Sequence, residues 1–142
     1  MRVVLDTSVI VKAVRNPNGA SAALISEAIE GRLTLLVSTA LGLEYEAVTL
    51  RPEHWVWPGF GRPEAERLLD LLAAVSTPVR INFQWRGALP DPDDDMALEV
   101  ALNGQADALV TFNDRDFAPA VERFGLALVR PHAILETVRK LR

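Results

Sequence analysis

Five short apolar runs, separated by stretches patterned for helices, constrain the fold of this chain more than any other feature. They are Arg2–Leu5, Leu33–Val37, Val79–Phe83, Ala108–Thr111 and Leu126–Val129. Val3 to Leu5, Leu35 to Val37, Ala108 to Val110 and Leu126 to Val129 are contiguous and apolar, which suits strands buried on both faces. Helices are expected over Ser21–Ile29, from a Ser38 and Thr39 cap through about Thr49, and from Pro63 with Leu68, Leu69, Leu71, Leu72 and Val75 on its apolar face. Further helices are expected from about Asp93 to Asn103, over Ala118–Phe124 and from about Pro131 onward. Strands alternating with helices give a three-layer α/β domain, with a central parallel sheet of about five strands. Ligands of such sheets bind beyond the carboxyl ends of the strands, at a topological switch.

The 142 residues, 49% of them hydrophobic, suffice for one core and one domain spanning 1–142. A net charge of −4 argues against a dedicated duplex-DNA binder, whose affinity rests on a basic surface. With no cysteine there is no disulfide, thiol nucleophile or thiolate ligand, so any metal takes oxygen donors. No window approaches the roughly 18 apolar residues of a membrane span, and a soluble cytoplasmic protein without a membrane partner is expected.

Four acidic stations stand where strand exits or helix starts deliver them: Asp6, Glu44, the run Asp93, Asp94 and Asp95, and Asp114 with Asp116. Carboxylates brought to about 4 Å repel by about 1 kcal/mol per pair in water and by several at a protein-like dielectric, so gathering them calls for a cation. Asp6 follows the first strand directly and projects at its carboxyl edge, unless it merely caps the next helix. Glu44 lies in the first turns of the helix after the second strand, and a right-handed crossover returns it toward Asp6. Glu46 points about 200° away around that helix and is a surface charge. Asp94 continues the stripe of Leu98 and Ala101 toward the helix start and is the preferred ligand of its run.

Asp91, Asp93 and Asp95 imitate the opening of a calcium-binding EF-hand loop, but Met96 and Leu102 stand where that loop needs Gly and Glu. After the fourth strand, Thr111, Asn113, Asp114 and Asp116 place a hydroxyl, an amide and two carboxylates on one strand-exit loop. Asp116 is the preferred acid there, with Asn113 or Asp114 as the alternative.

Taken in order, Val3-Val4-Leu5-Asp6-Thr7-Ser8, Glu44-Tyr45, Asp91-Pro92-Asp93-Asp94 and Leu109-Val110-Thr111 through Asp116-Phe117 resemble the PIN-domain family, and within it the VapC-like nuclease toxins of toxin–antitoxin pairs. The resemblance covers almost the whole chain. It implies a Rossmann-like sheet and a Mg²⁺- or Mn²⁺-dependent endoribonuclease, with Asp6, Glu44, Asp94 and Asp116 as catalytic and metal-holding acids. It also implies that Thr7, Ser8, Thr111 and Asn113 orient ligands or water, with Asp114 or Asp116 as the fourth acid because Asn113 stands where some relatives carry one. A cognate antitoxin, an RNA substrate and a homodimer are the partners it implies.

Lys12, Arg15, Arg51, Arg86 and Arg115 are candidate phosphate contacts, and Trp55, Trp57 and Trp85 candidate base-stacking rings. His54 and His132 lie far in sequence from the acids and are not expected to act in catalysis. Haloacid-dehalogenase phosphatases want a second Asp where Ser8 stands, and the receiver-type pair of Asp and Lys is missing. A catalytically idle PIN fold that binds RNA or protein, and a housekeeping RNA-processing nuclease, are the remaining alternatives.

Overall fold

A computed structural model describes residues 1–85, 87, 89–91 and 94–141. Arg86, Pro92 and Asp93, named above, lie outside the described residues. In chain order the elements are β1 (Arg2–Leu5), α1 (Thr7–Arg15), α2 (Ala20–Ile29), β2 (Thr34–Val37), α3 (Thr39–Thr49), a 3-10 turn at Pro52–His54, α4 (Arg62–Val75), β3 (Ser76–Pro78), α5 (Asp95–Asn103), β4 (Ala108–Val110), α6 (Asp114–Phe124), β5 (Leu128–Val129) and α7 (Pro131–Lys140).

All strand pairs are parallel, in the order β3-β2-β1-β4-β5. The chain builds outward from β1 through β2 to β3, then returns to the other side of β1 for β4. The reversal therefore falls between β1 and β4, whose carboxyl ends flank the crevice expected of a switch point. Right-handed crossovers put α1 to α4 over one face and α5 and α6 over the other, giving three layers. Val3, Val4, Leu5, Leu109 and Val110 are essentially without solvent exposure, as strands covered on both faces require. On the second face α5 packs against β1, β2 and β4, while Phe117 anchors α6 in the core.

Local chemistry sets the element starts that matter here. Ser38 caps α3, its hydroxyl accepting from the Leu41 amide at 3.1 Å, a contact worth about 1 kcal/mol. The ladder runs on past the strand ends, with the Asp6 amide donating to the Val110 carbonyl at 2.9 Å and the Thr111 amide to the Val129 carbonyl at 3.1 Å. These bonds fix the backbone from which Asp6 and Thr111 project.

Three sequence-based expectations need correction. The third strand is Ser76–Pro78, paired with Leu35, Leu36 and Val37, rather than Val79–Phe83. It is a short, partly exposed edge strand, where Pro78 is tolerated and an apolar run is not required. The Asn103 side chain instead occupies the backbone of the expected segment, bonding Asn82 and Phe83 amides at 3.0 Å and the Phe83 carbonyl at 2.8 Å. Helix α6 begins at Asp114, one turn before Ala118, so Asp114 and Asp116 occupy its first turn and not a strand-exit loop. Helix α5 begins at Asp95, with Asp94 as its N-cap residue.

Candidate functional site

Asp6 sits at the N-cap position of α1, yet its side chain makes no capping bond. Its carboxylate, 2% exposed, turns instead into the switch-point crevice. Oδ2 accepts from Ser8 Oγ at 2.7 Å, from Thr111 Oγ1 at 2.8 Å and from Asn113 Nδ2 at 3.4 Å. Burying a carboxylate is costly unless donors replace its water, and three side-chain donors from two strand exits do so. Ser8 Oγ also accepts from the Phe112 amide at 3.3 Å, and Thr111 Oγ1 from the Asn113 amide at 2.9 Å, so the donors are themselves held in place.

Tyr45 links α3 to this arrangement. Its hydroxyl donates to the Leu5 carbonyl, one residue before Asp6. Burial, and then the nearby Asp6 charge, push the phenol far above its ordinary range, so it stays a donor. With Tyr45 fixed, the adjacent half-buried Glu44 reaches a cavity of about 530 Å³. Glu44, Asp91, Asp94, Thr7, Ser8 and Asn113 are among the residues that line that cavity. Asp6 lies immediately behind it, bonded to the lining residues Ser8 and Asn113.

The structure thus brings Glu44 and Asp94 to one cavity, with the Asp6 carboxylate linked to its lining only through Ser8 and Asn113. Asp116, half-buried on the first turn of α6, is not on its lining, and neither is Asp114. The exposed Asp114 carboxylate pairs with Arg130, at 3.0 Å from Nη2 and 3.2 Å from Nε. Among the described residues, no group of three or more Asp, Glu or His is close enough together to form a metal cage. Asp95, set aside in the stripe argument, is 1% exposed, and its Oδ2 accepts from the Gly87 amide at 3.3 Å. It fastens the preceding loop to α5.

Lys12, Arg15, Arg51 and His54 line the same cavity, with Val11, Val48 and Phe112. His54, not expected to act in catalysis, is brought to this cavity all the same. It is carried there by the 3-10 turn after α3 and held by Arg15, whose Nε donates to its Nδ1 at 3.0 Å. Burial first, and then the Arg15 charge, push its basicity below the ordinary imidazole value. The tryptophans pack on the domain. Trp55 Nε1 donates to the Thr49 carbonyl at 2.9 Å, Trp57 Nε1 donates to the Arg15 carbonyl, and the Trp85 ring lies 6.1 Å from Phe83 and 5.6 Å from Phe124. None of the three lines the cavity. No helix among the described residues is long and apolar enough to cross a membrane.

In fold, the chain is similar to the crystal structure of VapBC2 from Rickettsia felis bound to a DNA fragment from its promoter. The TM-score is 0.60 at 14% identity, with 92% of this chain and 98% of that chain covered. It is also similar to the structure of FitAB bound to a DNA fragment, with a TM-score of 0.54 at 18% identity and coverage of 91% and 94%. No curated protein sequence matches it. The model of the PIN domain matches residues 2–115, which hold β1 through β4 and the whole β1–β4 switch point. With most of its length matched and its acids at that switch, the chain belongs to the PIN domain family.

Proposed function

We propose that this chain is a Mg²⁺- or Mn²⁺-dependent endoribonuclease acting as the toxin of a type II toxin–antitoxin pair. The observation that carries the reading is the buried Asp6 carboxylate, held by Ser8, Thr111 and Asn113 directly behind a cavity lined by Glu44 and Asp94. The donor set suits a hard cation: carboxylate and hydroxyl oxygens, with no thiolate. Mg²⁺ keeps several waters and is commonly bound by one or two carboxylates together with substrate phosphates, so an incomplete protein cage is compatible with it. Glu44 and Asp94 would hold the ion, with Asp6 as the third acid and Asp116 as the fourth on the strength of its place in the family motif. When bound, such an ion supplies an activated water and charge stabilisation at phosphorus.

The protein's own groups do the positioning. Thr111 and Ser8 fix the Asp6 carboxylate, Tyr45 fixes the helix that carries Glu44, and the N-terminus of α5 presents Asp94. The fold neighbours were solved as VapBC2 and FitAB, each on a DNA fragment. Together with the resemblance to VapC-like toxins, they support a cognate antitoxin as the partner of this chain.

The test is cleavage of a labelled single-stranded RNA pool with Mg²⁺ or Mn²⁺, with and without chelator. Cleavage that requires the metal and is lost in Asp6→Asn and Asp94→Asn, with the folded circular dichroism spectrum retained, supports the reading. Unchanged cleavage in both variants refutes the site. Binding without any cleavage favours the idle-module alternative. Growth arrest on expression, relieved by a neighbouring DNA-binding protein, tests the toxin role.

A further inference from the structure

We propose that Lys12, Arg15, Arg51 and His54 form a phosphate subsite that grips the nucleic-acid backbone beside the acidic centre. This rests on the ribonuclease reading of the same cavity. The two groups of residues line one cavity: carboxylates at Glu44, Asp91 and Asp94, and cations at Lys12, Arg15 and Arg51. A polyanion enters an acidic site only where fixed cations offset the repulsion, and here they line the same cavity.

The subsite is assembled from two elements. Lys12 and Arg15 come from the last turn of α1, whereas Arg51 and His54 come from the segment after α3. That segment is fastened to α1 at three points. Arg15 Nε donates to His54 Nδ1 at 3.0 Å, Arg15 Nη2 donates to the Glu53 carbonyl at 3.3 Å, and Trp57 Nε1 donates to the Arg15 carbonyl. Arg15 is therefore oriented on one edge of its guanidinium, and among the described residues its other N–H donors have no bond and can serve a phosphate. His54 accepts at Nδ1 and so carries its proton on Nε2, which lies 4.0 Å from the Glu53 carboxylate and can also donate to a phosphate. A loop that served only as a connection would not need to spend an arginine, an imidazole and an indole on one helix end.

The experiment is fluorescence anisotropy of a 12-nucleotide single-stranded RNA, and of the DNA of the same sequence, on the full chain in chelator across a salt series. Lys12→Gln with Arg51→Gln is compared with the wild type and with Arg62→Gln, which lies outside the cavity. Each lost phosphate contact lowers the salt slope by about 0.7 on single strands, so the double variant is expected to lose about 1.4, roughly 25-fold in affinity at 0.1 M salt. The loss must appear with RNA and DNA alike, because both present phosphates. An unchanged slope, or an equal loss in Arg62→Gln, overturns the subsite. So does a loss confined to RNA. Absence of any wild-type binding also overturns it and leaves the cations to an acidic protein partner. Binding is read without metal, so a subsite that behaves as expected in a chain that cleaves nothing would sink the ribonuclease reading alone. Metal-dependent cleavage with an unchanged slope would sink the subsite alone.

Discussion

Thr111 Oγ1 donates to Asp6 Oδ2 at 2.8 Å across 105 positions of sequence, joining the exits of β4 and β1 at the reversal of strand order. Both side chains are buried, so the bond sits in a low dielectric, where losing a donor to a charged acceptor is expensive. Thr111→Val keeps the shape and removes the hydroxyl. It is expected to destabilise the fold by about 1–3 kcal/mol in urea unfolding and to cut metal-dependent cleavage by roughly 10–100-fold. Wild-type stability and rate in this variant would remove Asp6 from the account.

Tyr45→Phe tests how α3 is seated. The Leu5 carbonyl loses its phenolic donor while the ring stays in place, at an expected cost of about 1–3 kcal/mol. Because Glu44 is the next residue, cleavage is expected to fall with stability. The check is a denaturation curve beside a cleavage time course. A neutral variant would mean that backbone packing alone holds the helix.

Asp114→Asn is expected to change stability by less than about 1 kcal/mol, because its ion pair with Arg130 joins two side chains that are about half exposed. Cleavage is expected to persist, since that carboxylate is engaged away from the cavity. Loss of activity in Asp114→Asn with retention in Asp116→Asn would reverse the assignment of the fourth acid.

His54 makes a pH prediction of definite sign. Burial and Arg15 lower its affinity for protons in the folded state, whereas the unfolded chain protonates it near pH 6.5. Below about pH 6.5 the unfolded state therefore binds more protons, and stability falls as the solution is acidified toward the folded value. Above that pH the imidazole is neutral in both states and contributes no slope. His54→Gln is expected to flatten the decline in urea midpoint between pH 7 and pH 5. Parallel curves for the two proteins, or an imidazole titrating at or above its ordinary value by NMR, would contradict this.

Strands β1, β2 and β4 were legible in the sequence because central parallel strands need contiguous apolar residues, and Val3 to Leu5, Leu35 to Leu36 and Ala108 to Val110 supply them. Asp6 was legible by position alone, one residue beyond β1. Strand β3 was not, because an edge strand of Ser76, Thr77 and Pro78 carries no apolar signal. The apolar segment after it owes its path to Asn103, about 20 residues away. The burial of Asp95 was not legible from the stripe of Leu98 and Ala101, since α5 buries Ala97, Glu99 and Val100 as well and has no one buried stripe. The place of His54 depends on a contact from Arg15 across 39 positions, and no local pattern encodes that.

The central claim is that Glu44 and Asp94, with Asp6 behind them, share a divalent cation. Electron paramagnetic resonance of added Mn²⁺ measures this directly, in the wild type and in the Glu44→Gln and Asp94→Asn variants. The account predicts saturable binding by the wild type, weakened by about 10-fold or more in each variant while both remain folded. Equal Mn²⁺ affinity in all three proteins, or no binding by any of them, would contradict it.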